Sequence, residues 1–323
     1  MADIPGSLRI ATRRSQLALW QSRLVQQQLA DLGVASELVT YETTGDRRLD
    51  VPLASIGSKG LFTQELEADL LAGRVDCCVH SLKDLPTVNP PGLCIAAHME
   101  REDPRDVLVV APGIGAASIG DLPPNAKLGT SSLRRQAQAL ALRPDLAITS
   151  VRGNVPTRIR KVQEGEVQAA VLAAAGLLRL GLGAHIATFL EPPVWIPAPG
   201  QGAIAIQARE GDHEVLRLLN RLDHAPTSRA VAGERAFLNA IEGGCQVPAG
   251  AWTSRSEAGG AAAGDERLHA LVALPDGSRV IRGERALGPD PQADGVALAV
   301  ELLDAGGREI LRGVRGWGGA GLD

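Results

Sequence analysis

Apolar positions along the chain recur in two rhythms. Residues 8–11, 37–42 and 75–79 read as strands, either alternating or apolar throughout. Between the first two, Leu17, Trp20, Leu24 and Leu32 fall on one helical face, with Ser15 placed to open the helix. Phe62, Leu66 and Leu70 recur at i+4 and predict a second helix that ends at Gly73. Strand–helix–strand alternation predicts a parallel, doubly wound sheet. Ligands of such sheets bind beyond the carboxyl ends of the strands. Arg13, Ser15, Lys83 and Asp84 all fall at such ends.

A second unit follows the Pro90-Pro91-Gly92 turn and a polar crossing at 100–105. Strands are expected at 106–110, 127–130, 147–151 and 168–174. Helices are expected at 133–143 and from near Pro156 to Gly165. A second crossing, rich in proline and glycine, spans 192–202, and the chain then returns to the first lobe at 203–208. From about Leu222 the pattern changes. A helix at 227–242 leads to Gly243-Gly244-Cys245, with Pro248 preventing its resumption. Residues 267–273 and 279–286 alternate around Pro275-Asp276-Gly277-Ser278, a hairpin signal, and a last helix covers 292–304. The expected organisation is therefore a first α/β lobe of residues 1–101 and 202–221, a second of 102–201, and a small α+β domain of 222–323. Residues 254–264, rich in glycine, alanine and serine, read as a surface insertion.

Composition narrows the function classes. Net charge is −4 and only eight of 323 residues are aromatic, which argues against a nucleic-acid binder with stacking platforms. The longest apolar stretch, 169–178, is half of the roughly 20 residues that a membrane span needs. Residues 1–14 show no apolar core of signal-peptide type. The four cysteines, Cys77, Cys78, Cys94 and Cys245, have no C-x-x-C spacing and histidines are few, so no metal site is expected. The thiols read as reduced and the location as cytoplasmic.

Three stretches carry candidate chemistry. Cys245 behind a helix stop is either a small buried hydrophobe on a turn or a thiol facing a cleft. Segment 127–161 holds eight basic residues and one acid, Asp145, in a net-acidic chain. It is either a solvated basic surface or a cleft for a polyanion. Within it Thr130, Ser131 and Ser132 precede Arg134 and Arg135 where a helix should begin, so hydroxyls, free N–H groups and guanidinium forks converge there. Phosphate and carboxylate ligands both fit. Asp84, with Lys83 beside it, is either a helix cap or a carboxylate facing a substrate that becomes cationic.

These stretches belong to a longer series. It comprises Arg9-Ile10-Ala11-Thr12-Arg13-Arg14-Ser15, Gly57-Ser58-Lys59-Gly60-Leu61-Phe62, Val79-His80-Ser81-Leu82-Lys83-Asp84, Arg101-Glu102-Asp103-Pro104-Arg105-Asp106 and the segments 129–135, 152–155, 199–203 and 242–248. In this order the series resembles the porphobilinogen deaminases over nearly the whole chain, from Leu8 to about Leu311. The resemblance implies an enzyme that joins four porphobilinogen molecules head to tail, releases ammonia and yields hydroxymethylbilane. It implies two doubly wound lobes resembling type II periplasmic binding proteins, and a monomer. It further implies a dipyrromethane cofactor in thioether linkage to Cys245, held by Lys83, Asp84, Thr130, Ser132, Arg134, Arg135 and Arg152. Arg13, Ser15, Arg152, Arg158, Arg179 and Gln201 would bind substrate, and Asp84 would stabilise positive charge on pyrrole nitrogens. A growing polyanion explains a basic segment in an acidic chain. Departures are Ser58, Gln16 and the insertion at 254–264. The paired lobes alone would equally suit a small-anion-binding or ligand-sensing protein, which needs neither Cys245 nor a third domain.

Overall fold

The computed structural model describes residues 7–43, 45, 63–241, 247–254 and 266–316. Its strands are β1 (Leu8–Arg13), β2 (Ser36–Tyr41), β3 (Cys77–Ser81), β4 (Leu93–His98), β5 (Asp106–Val110), β6 (Lys127–Gly129), β7 (Ala147–Thr149), β8 (Ala169–Ala173), β9 (Thr188–Leu190), β10 (Ile204–Arg209), β11 (Ala249–Ser254), β12 (Arg267–Ala273) and β13 (Val280–Ala286). The α-helices are α1 (Gln16–Asp31), α2 (Gln64–Leu71), α3 (Leu133–Leu142), α4 (Val155–Gln163), α5 (Ala174–Arg179), α6 (His213–Leu219), α7 (Ala225–Ala240), α8 (Pro291–Leu302) and α9 (Arg308–Gly316). The chain divides into two compact units, Met1–Glu102 with Gly202–Arg229, and Asp103–Gln201 with Ala230–Asp323.

The first unit is built on a five-stranded sheet in the order β2-β1-β3-β10-β4. Successive strand residues point to opposite faces, so each strand feeds two cores. Leu8 and Ile10 pack with Val25 and Leu29 of α1 and with Leu218 and Leu219 of α6. Ala11, Cys78 and Leu93 pack with Leu66 and Leu70 of α2. The helices start where their caps allow. Ser15 accepts the backbone N–H of Ala18 at 3.3 Å and opens α1.

The second unit has a five-stranded sheet, β7-β6-β8-β5-β9, again covered on both faces. Leu108, Leu128 and Val171 share a core with Ala139 of α3 and with Trp195. Val107, Val109 and Ala170 share another with Ile159 and Val162 of α4. A third, antiparallel sheet, β11-β12-β13, completes the unit. Leu268, Ala270 and Val272 of its central strand face Phe237 of α7 and Leu298 and Leu302 of α8. Leu271 and Ala273, on the opposite face, pack on Ala137 of α3 and on Ile196. The β12–β13 turn touches α3 as well. Gly277 has φ 71°, and a Cβ there would lie 2.4 Å from the Ala141 nitrogen, so both conformation and space require glycine.

The α/β class, the two lobes and the small C-terminal sheet-and-helix domain are as the sequence predicts. Two details differ. Three strands of each expected parallel set do run parallel, β1 with β2 and β3, and β6 with β7 and β8. However, β10 is antiparallel to β3 and β4, and β5 is antiparallel to β8 and β9. Parallel neighbours need a crossover connection. β10 and β5 are each the first strand after a proline-containing crossing, with no helix ahead of them to make one. The sequence pattern also passes over β4, β9, β11, α5, α6 and α9, so the helix expected at 292–304 is not the last. Residues 169–178 form one apolar run, and it hides the change from β8 to α5 at Ala174.

Candidate active site

In the first unit β1 and β3 are parallel neighbours, so their carboxyl ends open on one edge. Arg13 ends β1, and Ser15 caps α1. β3 runs into a 3₁₀ turn, Leu82–Asp84, closed by the Leu85 N–H on the Leu82 carbonyl at 3.1 Å. The Gln21 amide donates to the Ser81 hydroxyl at 2.8 Å and ties α1 to the end of β3. The structure thus brings Arg13, Ser15, Lys83 and Asp84 to one sheet edge. Asp84 is exposed and caps no helix, since the next element is the strand β4. That removes the cap reading. His80 is buried in β3, and burial pushes its imidazole down to about 4, so it is neutral near pH 7.

In the second unit the carboxyl ends of β6, β7 and β8 share an edge, and the start of antiparallel β5 lies there too, with Asp106 opposite Ala173. The Thr130 hydroxyl accepts the Ser132 N–H at 3.2 Å, and the Ser132 hydroxyl caps α3 at the Arg135 N–H. Arg152 follows β7, and Asn154 caps α4 by accepting the Thr157 N–H at 2.9 Å. Arg158 donates from Nε to the Gly153 carbonyl at 2.8 Å. Arg179 ends α5 and is buried.

Arg134 and Arg135 are only 4% and 6% exposed, and both bond to one buried carboxylate, Asp106. Arg134 Nη1 donates to Oδ2 at 2.7 Å, and Arg135 Nη2 to Oδ1 at 2.7 Å. Trp195 Nε1 and Gln201 Nε2 donate to the same group, each at 2.8 Å. Burial alone would raise the Asp106 carboxyl, but the two guanidinium groups outweigh it and hold it far below the usual carboxylate range. Nothing local to Asp106 in the sequence marks this role. The signal for it is the charge imbalance of segment 127–161, which calls for a buried counter-ion.

The rest of that segment sorts by location. Arg143 pairs with Asp145, Arg160 with Glu164 and Lys161 with Glu166 at the surface. The sheet edge keeps Arg134, Arg135, Arg152 and Arg158. Cys77 and Cys78 are buried, and Cys94 is half-buried. Burial pushes all three thiols up, away from the reactive thiolate form. Cys245, the motif at 57–62 and the insertion from 255 lie outside the described residues. Glu234 of α7, the helix ahead of Cys245 in sequence, is fully buried and accepts the Gly200 N–H at 2.8 Å and the Thr253 N–H at 2.9 Å.

Two family profiles match the chain in succession. Residues 8–217 match "Porphobilinogen deaminase, dipyromethane cofactor binding domain", and residues 228–304 match "Porphobilinogen deaminase, C-terminal domain". The chain belongs to the porphobilinogen deaminase family. The porphobilinogen deaminase of Roseiflexus castenholzii (strain DSM 13941 / HLO8) is 51% identical over 314 residues, covering 95% of this chain and 99% of the relative. That of Syntrophomonas wolfei subsp. wolfei (strain DSM 2245B / Goettingen) is 48% identical over 94% of this chain and 98% of its own. Among solved structures, the methionine-binding protein MetQ matches 68% of this chain and 90% of its own at 11% identity, with a TM-score of 0.44. Membership of the porphobilinogen deaminases makes the chain a transferase of tetrapyrrole biosynthesis. It polymerises four porphobilinogen molecules to hydroxymethylbilane and works with a dipyrromethane cofactor. The rival reading as a small-anion-binding or sensing protein falls with this result. No helix among the described residues is long and apolar enough to cross a membrane.

Proposed function

We propose that the cofactor is attached to Cys245 through a thioether, and that cations and hydroxyls at the carboxyl ends of the strands hold the carboxylates of cofactor and substrate. Lys83, Thr130, Ser132, Arg134, Arg135 and Arg152 would hold the acetate and propionate groups of the dipyrromethane. Arg13, Ser15, Arg152, Arg158, Arg179 and Gln201 would hold those of the incoming substrate. The donor set fits such a ligand, because guanidinium forks, hydroxyls and helix-start N–H groups are what planar carboxylates bind best. When bound, the dipyrromethane supplies a free pyrrole α-carbon as nucleophile. Asp84 faces solvent at the end of its turn beside Lys83, where a carboxylate can stabilise the positive charge that develops on the substrate pyrrole as ammonia leaves.

The observation that carries the attachment is the match to a dipyrromethane cofactor-binding domain, in a family whose cofactor cysteine the block 242–248 resembles. In keeping with it, Cys77 and Cys78 are buried in β3 and Cys94 is half-buried. The same reading divides the chain into lobes of 1–101 with 202–221 and of 102–201, followed by a domain of 222–323. It makes the enzyme a cytoplasmic monomer that acts on porphobilinogen and engages neither nucleic acid nor membrane. The test is the intact mass of the purified protein. It should exceed the sequence mass by two pyrrole units, and Cys245→Ser should lose the added mass and the activity together. A wild-type protein of unmodified mass that is fully active would overturn the attachment.

A further inference from the structure

We propose that Asp106 is a positioning residue for the arginine pair on α3. The inference rests on the reading that Arg134 and Arg135 hold ligand carboxylates. Adjacent guanidinium groups, each more than nine-tenths buried, repel one another and lose hydration. Among the described residues both ion pairs go to Asp106, so the triad carries one net positive charge rather than two.

The bonding around Asp106 is saturated. It accepts five hydrogen bonds, from Arg134 Nη1, Arg135 Nε and Nη2, Trp195 Nε1 and Gln201 Nε2. A carboxylate offers about four lone-pair sites, so this one is an anchor with no capacity for a ligand group. Arg135 is held at a third point, where Nη1 donates to the Val171 carbonyl at 2.9 Å. Arg134 gives Nη1 to Asp106 and to the Ile196 carbonyl, at 2.7 and 2.8 Å. Its Nε and Nη2 make no hydrogen bond among the described residues. Those two N–H groups form the edge of a guanidinium that grips a carboxylate side-on. Asp106 therefore holds the inner side of Arg134 and leaves that edge as the side for a ligand. Rotamer freedom, a large cost for a long side chain that must be fixed on binding, is removed before the ligand arrives.

The test uses full-length protein and three variants, Asp106→Glu, Asp106→Asn and Trp195→Phe. Each is assayed for intact mass, melting temperature, and KM and kcat for porphobilinogen. Asp106→Glu keeps the charge and shifts it by one methylene. A positioning role predicts that folded Asp106→Glu carries the two-pyrrole mass at reduced occupancy and that its loaded fraction shows kcat lowered about ten- to a hundredfold, with KM moved less. Asp106→Asn should be worse on both counts. Trp195→Phe removes one donor to the same carboxylate without touching the charges, so it should lower the melting temperature and leave occupancy and kcat unchanged. Should Asp106→Asn fail to fold, Asp106→Glu decides alone. Wild-type occupancy and kcat in folded Asp106→Glu would overturn the inference, as would an equal kcat loss in Trp195→Phe. A wild-type protein without added mass would refute the Cys245 attachment and leave the Asp106 comparison to be read from kcat.

Discussion

On the function proposed above, Asp84 is the residue on which the chemistry turns, and its surroundings make it separable from the fold. It is exposed and caps no helix, so replacing it should leave stability close to wild type. Asp84→Asn keeps shape and removes charge. Preorganised groups of this kind are worth about 10²–10³ in rate, so elongation should nearly stop, whereas Asp84→Glu should retain part of the activity. Turnover measured beside intact mass checks this, because a variant that arrives without primer would have lost cofactor assembly instead. The arginines need a different choice of variant. Arg134→Leu would leave Asp106 short of a partner, and breaking a buried pair costs about 3–5 kcal/mol, so it tests folding more than binding. Arg152→Leu is the cleaner probe. It should weaken KM by about ten- to a hundredfold at near-wild-type melting temperature. Arg160→Leu, which only breaks an exposed pair with Glu164, should change neither. His80 gives a pH signature. Its folded pKa, about 4, lies below the unfolded value, so the unfolded chain takes up a proton that the folded one refuses. The stability it contributes is complete above about pH 6.5 and drains away as pH falls toward 4, by roughly 3 kcal/mol at most. Melting temperatures between these limits should fall less steeply for His80→Gln than for wild type.

At the scale of elements, the close approach of α7 and α8 sets a strict size limit. A Cβ on Gly295 would stand 2.2 Å from the Gly233 carbonyl oxygen and 3.0 Å from the Ala236 Cβ. Gly295→Ala must push two helices apart, and overpacking of this sort typically costs about 1–3 kcal/mol. Urea unfolding should show that loss, although alanine is the better helix former. How far the elements could be read from sequence follows from how locally they are determined. α1 and α3 are marked by a capping serine and an apolar face, and both stand where the sequence predicts. The β12–β13 hairpin is announced by Asp276-Gly277. β4 lies behind a proline turn and is rich in alanine, so neither alternation nor β-branched content marks it. β9 is three residues long and is defined by pairing with β5, a contact that no local pattern encodes. The candidate site divides in the same way. Its cationic members were legible as a charge excess. Asp106 was not, because its role comes from side chains at Arg134, Arg135, Trp195 and Gln201, distant in sequence, that only the fold brings to it.

For the whole molecule, one placement governs how the chain can be assembled. β10 sits between β3 and β4 in the first sheet, yet it follows them by more than a hundred residues. The second sheet, by contrast, has its last strand by Leu190. On a ribosome, a chain that has emerged only to residue 200 owns every strand of the second sheet and lacks an inner strand of the first. Backbone groups of β3 and β4 that β10 would satisfy then remain open, and open strand edges are targets for wrong pairing and for proteases. A released fragment of residues 1–200 should therefore be cut rapidly within its first hundred residues, and a fragment of residues 1–222 should be cut there more slowly. Equal cleavage of both fragments would mean that β10 does not complete the sheet. The amino-terminal lobe of this enzyme is thus begun first and finished late. Between those moments it depends on delay, on a chaperone, or on the speed with which the next stretch of chain is delivered.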